Sequence, residues 1–215
     1  TALIFSFSDI GKNARMLRYT KQLINKKNMK VVLVGYDISD IPLEIKKLPN
    51  LSIRYIFPFI CKYQILQLIL WPLQFIFFLI QMIGIALNIS SLNLIIASST
   101  FYFTEAFCGL LISKIHHSTL IFDISNFSWY DNQITSFITK KMLSFSNYLL
   151  CPTHSIEVVL NLAGFRPFVI PDVPDSSFQS NKQMKKQICE LLKIDEDSIL
   201  IGVPIPEFDN DKLKI

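Results

Sequence analysis

Residues 63–104 contain no Asp, Glu, Lys or Arg, and this uncharged stretch of 42 residues constrains the fold more than any other feature of the chain. Its first part, residues 63–88, has the pattern of a helix. At 1.5 Å per residue it would be about 37 Å long, enough to cross a bilayer. Pro72 lies within this part and is expected to kink or divide the helix. So apolar a segment must lie against a protein core or against lipid.

Four amides recur every seven residues along this predicted helix: Gln67, Gln74, Gln81 and Asn88. A step of seven residues returns to nearly the same side of a helix, so the amides form one polar stripe on an otherwise apolar cylinder. Three environments compete for such a helix: the inside of a membrane, the interior of an α/β domain and the membrane interface. Strand-like runs on both sides of the segment should join one sheet. We therefore favour a membrane-associated helix over 63–88 that lies in the interface.

Apolar runs alternate with helical patterns along the rest of the chain. The runs predict strands at residues 2–5, 30–36, 51–57, 92–97, 119–123, 148–152 and 168–170. Further helices are predicted at residues 15–28, 103–117, 133–146 and 155–162, the last with Thr153 as its N-cap. Short apolar strands that alternate with helices indicate an α/β fold, a Rossmann-like, doubly wound parallel sheet.

The composition changes after the last predicted strand. Residues 171–177 are rich in Pro, Asp and Ser, as is typical of a linker. A helix and a strand are predicted again at 181–192 and 198–203. We therefore expect an N-terminal Rossmann-like domain over 1–178 and the beginning of a second α/β domain over 179–215. Because the chain starts inside a strand-like run and stops just after another, we expect it to be a fragment of a longer protein.

Several kinds of site have no counterpart in the sequence. The motifs G-x-G-x-x-G, G-K-[ST] and H-E-x-x-H do not occur, so these phosphate loops and this zinc motif are absent. The four cysteines are widely spaced within apolar patterns, which is typical of reduced thiols in a protein that faces the cytosol. The three histidines are scattered. We expect neither a metal nor a cofactor.

The net charge of +4 is unevenly distributed. Residues 1–62 carry eleven Lys and Arg against four Asp and Glu, whereas the remainder carries ten against thirteen. A basic first quarter next to an apolar segment suits an anionic membrane surface or a phosphorylated lipid. The cations are not interleaved with aromatic side chains on which bases could stack, so nucleic acid is not an expected partner.

The first predicted strand leads into a turn with the features of an anion site. Residues 6–16, with the sequence SFSDIGKNARM, place a glycine turn before a helix that opens with cations. The first N–H groups of a helix lack internal partners and carry the positive end of its dipole, so they hold phosphate well. Gly11, Lys12, Asn13 and Arg15 are therefore candidate ligands of a pyrophosphate. The alternative is an ordinary strand-to-helix turn followed by a solvated basic face.

Three cations recur every third residue from this turn, namely Lys12, Arg15 and Arg18. Side chains at this spacing lie along one face of a helix. We expect that face to be exposed. A substitution of Arg15 should then change the free energy of unfolding by no more than about 0.5 kcal/mol.

Polar residues follow the predicted strands at the edge where open parallel sheets bind their ligands. They include Asp9, Ser99, Thr100, Asp123, Asn126 and His154. Asp9 and Asp123 are candidate catalytic residues, since both could project into one cleft beside the cationic turn. A carboxylate within reach of an acceptor hydroxyl can act as the general base of an inverting group transfer. Aspartates at strand ends also commonly cap the following turn, and that alternative stays open.

Several segments together resemble one enzyme family. Residues 8–16, SDIGKNARM, resemble the G-D-[IV]-G-R-S-P-R-M signature of the chitobiosyldiphosphodolichol β-mannosyltransferases. Residues 122–127, FDISNF, keep the Asp, the Asn and an aromatic residue of that family's I-D-W-H-N-Y. Residues 151–155, CPTHS, are similar to its C-V-T-x-x, and residues 169–174, VIPDVP, to its V-x-Y-D-x-P linker. Ser125 stands where the family has a histidine. The matches follow the family's order along the chain.

This resemblance implies the N-terminal half of a two-domain glycosyltransferase of the GT-B type. Such an enzyme would transfer mannose from GDP-mannose, with inversion, to a dolichyl-pyrophosphate-linked chitobiose in N-glycan precursor synthesis. It would work on the cytosolic face of the endoplasmic reticulum membrane. The N-terminal domain would bind the acceptor, with Ser99, Thr100, Asn126, Phe127 and His154 in the acceptor cleft. The donor site would lie in the second domain, so residues 1–215 alone should be inactive.

Two other functions fit the same features. The chain is a candidate for a non-catalytic, membrane-associated subunit that presents a lipid-linked acceptor to another glycosyltransferase subunit, because Ser125 replaces the family's histidine. It is also a candidate for a GT-B transferase that uses another sugar donor.

Overall fold

The structure of the chain is a computed structural model, and it describes residues 1–57, 64–99, 104–124 and 140–172. Within these residues, seven parallel strands form one sheet in the order β3-β2-β1-β4-β5-β6-β7. The strands are β1 (Ala2–Asp9), β2 (Val31–Tyr36), β3 (Leu51–Tyr55), β4 (Leu94–Ser99), β5 (Thr119–Ile124), β6 (Tyr148–Cys151) and β7 (Phe168–Val169). The predicted Rossmann-like α/β fold is confirmed.

The helices cover both faces of this sheet. They are α1 (Ala14–Lys27), α2 (Leu43–Lys46), α3 (Gln64–Leu87), α4 (Thr104–His116) and α5 (His154–Leu162), and residues 140–143 are also helical. A 3-10 turn, Ile10–Lys12, joins β1 to α1. Thr153 caps α5 as predicted, because its side chain accepts a hydrogen bond from the backbone N–H of Ile156.

The centre of the sheet is buried on both faces, which explains why its strands are continuous apolar runs. On one face, Ala2 and Ile4 of β1 pack with residues of α1 such as Met16. On the other face, Leu3 and Phe5 belong to a core that also includes residues of α3 and α4. The alternation along β1 therefore divides the apolar interior into two layers.

α3 is one uninterrupted helix, so Pro72 does not divide it as the sequence suggested. Among the described residues, no helix combines the length and the apolar character that a membrane crossing requires. Two amides of the predicted polar stripe form hydrogen bonds within the protein. Gln81 accepts one from the backbone N–H of Phe57 at 3.1 Å, and Asn88 donates one to the carbonyl of Gly84 at 2.7 Å. The side chains of Gln67 and Gln74 lie outside the described part.

One side of α3 is apolar and exposed. Phe78, Met82 and Ala86 point into the core. Five other residues, spaced so that they lie along one side of the helix, are 42–65% exposed: Leu73, Ile76, Phe77, Ile80 and Leu87. We call these five residues the apolar stripe of α3.

Several predictions fall on residues that the structure does not describe. They are the linker from residue 173 onward, the domain boundary near residue 178, the helix and strand predicted at 181–203, and the first part of the helix predicted at 133–146.

Candidate functional site

The candidate site is a cavity of about 420 Å³ at the carboxyl ends of β1 and β4. Strand order reverses between these two strands, and ligands of open α/β sheets bind at that crevice. The cavity is lined by Ser8, Asp9, Lys12, Asn13, Ala14, Arg15, Arg18, Ser98 and Asp172. We call it the β1–β4 cavity. A larger groove of about 1040 Å³ lies between β3 and α3, but none of the predicted site residues lines it.

Asp9 ends β1 and holds the turn that follows. Its Oδ1 accepts hydrogen bonds from the backbone N–H groups of Gly11 and Ser39, both at 3.1 Å. Burial acts to raise the pKa of Asp9, but the bonds from Ser39 and Gly11 and the charge of Lys12 outweigh it, so the pKa lies below its ordinary value. The capping role that the sequence left open is therefore observed. Asp9 still lines the cavity, and its catalytic role remains a prediction.

Gly11 is needed for packing. A Cβ at this position would overlap the backbone carbonyl of Ser39 and come within 3.0 Å of the carbonyl of Asp40. Only glycine lets the turn after β1 approach this loop so closely. Gly11 thus shapes the cavity through the path of its backbone.

Asn13 fixes the start of α1. Its Oδ1 accepts a hydrogen bond from the N–H of Met16 at 3.1 Å, and its Nδ2 donates to the Ser8 hydroxyl at 3.4 Å. The side chain therefore already satisfies one of the first N–H groups of the helix. Lys12 is exposed at the rim of the same cavity.

Arg15 and Asp123 form a buried ion pair. Nε and Nη2 of Arg15 donate to the two carboxylate oxygens of Asp123 at 2.7 and 2.8 Å, and the side chains are only 7% and 0% exposed. Tyr19 adds a hydrogen bond from its hydroxyl to Asp123 at 3.2 Å. Burial raises the pKa of Asp123, although the hydrogen bonds and charge of Arg15 oppose the rise.

This pair corrects the expectation that Arg15 lies on an exposed basic face. The guanidinium turns inward because a carboxylate at the end of β5 needs a counter-ion when it is buried. Asp123 in turn lies behind Arg15 and is fully buried, so it is not among the residues that line the cavity. Arg15 lines the β1–β4 cavity, Asp123 does not, and each is the other's principal partner.

Arg15 also holds the segment that follows β7. Its Nη1 donates to the carbonyl of Ile170 at 2.6 Å and to Oδ1 of Asp172 at 2.8 Å. Nη2 of Arg18 lies 3.7 Å from the same oxygen of Asp172. Asp172 was not among the residues predicted for the site, and Arg18 was predicted only as part of the basic face. The spacing of Arg15 and Arg18 by three residues was the available signal, because it places both side chains on the same side of α1.

The remaining predicted residues are only partly placed. Thr100, Asn126, Phe127 and the side chain of Ser99 lie outside the described part of the chain. His154 begins α5, where its exposed ring lies beside Glu157 and not at the β1–β4 cavity. Among the residues that the structure does describe, no three His, Cys, Asp or Glu side chains are grouped to hold a metal ion.

Comparison with known proteins supports the fold. The sequence matches no protein-family model, and no curated protein is detectably similar to it. The structure is similar to that of Alr3699/HepE from Anabaena, solved in complex with UDP and glucose, with 13% identity and a TM-score of 0.54. The match covers 88% of this chain, which spans half of that protein. At this identity the likeness concerns the α/β fold alone.

A second structure aligns less well. It is a short-chain dehydrogenase/reductase from Veillonella parvula, with 9% identity and a TM-score of 0.46 over 71% of this chain and 69% of that one. A likeness this low carries no argument about function.

Proposed function

We propose that the chain is the acceptor-binding half of a sugar-nucleotide-dependent glycosyltransferase of the GT-B type. The observation that carries the proposal is the β1–β4 cavity, which lies at the strand-order reversal of a glycosyltransferase-like fold. It is lined by three cations and two carboxylates, so the cations are in excess. A cationic cavity at this position suits a phosphorylated substrate.

The resemblance of residues 8–16 and 122–127 to the chitobiosyldiphosphodolichol β-mannosyltransferases supports a finer assignment. On this proposal the enzyme transfers mannose from GDP-mannose, with inversion, to a dolichyl-pyrophosphate-linked chitobiose. HepE was solved with UDP and glucose, so a uridine nucleotide sugar is the main alternative donor.

In an inverting transfer, a base takes the proton of the acceptor hydroxyl as that oxygen attacks the sugar carbon and the nucleotide diphosphate leaves. Asp9 is our candidate for this base. Asp9 lines the cavity, and its buried Oδ2 has no hydrogen-bond partner among the described residues, so this oxygen has an unused lone pair. A lowered pKa makes Asp9 a weak base, so it would have to act late, when the hydroxyl has become more acidic.

The apolar stripe of α3 supports a location at a membrane, which we propose to be the cytosolic face of the endoplasmic reticulum. Residues of this stripe are large and aliphatic or aromatic, and α3 carries no charge. The exposed charged residues of the neighbouring β3 and α4 are Arg54 and Lys114, both cations. An apolar face beside cations suits an interface rich in anionic lipid.

One observation favours a second candidate function, a non-catalytic subunit that presents the acceptor. Asp123 is held by Arg15 and Tyr19 inside the protein, so it is not poised to act as a base. A subunit that only binds and orients the acceptor needs no base.

Acceptor binding by residues 1–215 tests both candidates together. A polyprenyl-pyrophosphate-linked chitobiose in detergent should bind, and chitobiose without the pyrophosphate should bind at least tenfold more weakly, because the cations recognise phosphate. Equal affinity for the two would contradict acceptor recognition through the β1–β4 cavity. Transfer activity then separates an enzyme from a presenting subunit.

A further inference from the structure

The charge of Arg15 is largely neutralised by contacts inside the protein. Its guanidinium has five N–H donors, and four of them are used by Asp123, Ile170 and Asp172. The carboxylate of Asp123 is fully buried against it and balances its charge. A phosphate that enters the β1–β4 cavity therefore has to find its main cationic partner elsewhere.

Arg18 is the next cation of α1 that lines the cavity. It lies one turn further along α1, and 23% of its side chain is exposed. Its Nη2 is buried and has no hydrogen-bond partner among the described residues. The 3.7 Å to Oδ1 of Asp172 gives an ion pair, but it is too long for a hydrogen bond. A buried donor without an acceptor is costly, so a ligand oxygen at this place would be strongly favoured.

Asp172 occupies the place that such a ligand would need. Its side chain is 65% exposed and comes from the segment after β7, yet its carboxylate reaches into the cavity wall between Arg15 and Arg18. Asp172 accepts a hydrogen bond of 2.8 Å from Nη1 of Arg15, and a phosphate oxygen can accept that bond in its place. Because the carboxylate is largely solvated, it loses little stability when it moves away. The carboxylate therefore acts as a weak internal competitor for any anion.

We propose that Arg18, with Lys12 at the rim, binds a phosphate of a diphosphate ligand, and that this phosphate replaces the carboxylate of Asp172. The inference rests on the proposed function for the identity of the ligand, which would be the diphosphate of the lipid-linked acceptor. A nucleotide diphosphate has the same chemistry. Asp172 thus selects for ligands whose charge is high enough to displace it.

Titration calorimetry of residues 1–215 with inorganic pyrophosphate tests this inference without any transfer reaction. Arg18→Gln should weaken binding at least tenfold, because it removes a charge-assisted hydrogen bond. Asp172→Asn should strengthen binding by about two- to fivefold, because it removes the competitor but leaves its shape. Lys21→Gln on α1 and Asp40→Asn, both outside the cavity, should stay within twofold of the wild type.

A loss of affinity on Asp172→Asn, or no change, would overturn the competitor role. An effect of Arg18→Gln no larger than that of Lys21→Gln would overturn the ligand role, and so would the absence of pyrophosphate binding to both the wild type and Asp172→Asn. Melting curves show whether each variant is folded. If Arg18→Gln is unfolded, Arg18→Lys takes its place and should bind pyrophosphate with intermediate affinity. Wild-type affinity of Arg18→Lys would contradict the ligand role.

Two further kinds of ligand, a lipid diphosphate and nucleoside diphosphates, separate the sources of the diphosphate. A short-chain polyprenyl diphosphate in detergent should show the same pattern across the variants, whereas GDP and UDP should bind more weakly if the cavity serves the acceptor. If Arg18 and Asp172 behave as expected but the protein transfers no sugar, the inference holds and the proposed enzyme activity fails. If sugar is transferred without this pattern, the inference alone fails.

Discussion

Removal of Arg15 should greatly lower the free energy of unfolding of this domain. Arg15→Ala leaves the carboxylate of Asp123 fully buried without its counter-ion. It also removes the hydrogen bond that Arg15 donates to the carbonyl of Ile170. Breaking one partner out of a buried ion pair costs about 3–5 kcal/mol. A domain of this size loses about 2–4 °C of Tm per kcal/mol, so the expected decrease is roughly 10 °C.

The assay is thermal and urea denaturation followed by circular dichroism, with Lys21→Ala as the matched control. Lys21 lies on the same helix and pairs with Glu44 at 3.5 Å, but both side chains are largely exposed. Its loss should change the free energy of unfolding by no more than about 0.5 kcal/mol. Equal small effects of Arg15→Ala and Lys21→Ala would refute the buried pair and restore the exposed basic face that the sequence suggested.

A double-mutant cycle sharpens this test. Asp123→Asn and Arg15→Met each break the pair, and the two changes together remove both charges. Because they act on one interaction, the double variant should be more stable than the sum of the single effects predicts, by at least about 1 kcal/mol. Simple additivity would mean that the two side chains do not depend on each other.

Three further outcomes are expected. Gly11→Ala should lower stability by about 1–3 kcal/mol through overlap with the adjacent loop, whereas Gly84→Ala, where a Cβ meets nothing within 4 Å, should raise it slightly in the same denaturation assay. Because the pKa of Asp9 is lowered in the folded state, its carboxylate stabilises the fold above about pH 4 and loses this effect as the pH falls through the folded pKa. The Tm difference between Asp9→Asn and the wild type should therefore shrink below pH 4, and a difference that stays constant with pH would contradict this. Ile80→Asp should reduce co-sedimentation with vesicles that contain anionic lipid, while Leu162→Asp, at a still more exposed apolar position on α5, should not. Equal losses would contradict membrane binding through the apolar stripe.

The fold could be predicted from the sequence because it depends on local patterns. Apolar runs buried on both faces of a parallel sheet remain recognisable without knowledge of their neighbours. The Thr153 cap was readable for the same reason, since the residue and its partner Ile156 lie three positions apart. The predicted division of the helix at Pro72 was wrong, because a proline removes only one hydrogen-bond donor and α3 continues through it.

The candidate site was only partly predictable because its partners are distant in sequence. Arg15 and Asp123 are 108 residues apart, and Arg15 and Asp172 are 157 apart. The sequence identified Arg15 and Asp123 as polar groups at the same edge of the sheet, but it could not show that they neutralise each other. The three-residue spacing that suggested a common face for Arg15 and Arg18 is equally compatible with burial of one and exposure of the other.

Sugar transfer by the protein encoded by the full gene tests the central claim most directly. The protein is incubated with polyprenyl-pyrophosphate-linked chitobiose and, in separate reactions, with GDP-mannose or UDP-glucose, and the lipid product is identified by mass spectrometry. We expect one added mannose from GDP-mannose. Transfer from UDP-glucose alone would support glycosyltransferase activity but refute GDP-mannose as the donor. No transfer from either donor, by a protein that binds the acceptor, would contradict the enzyme and favour the presenting subunit.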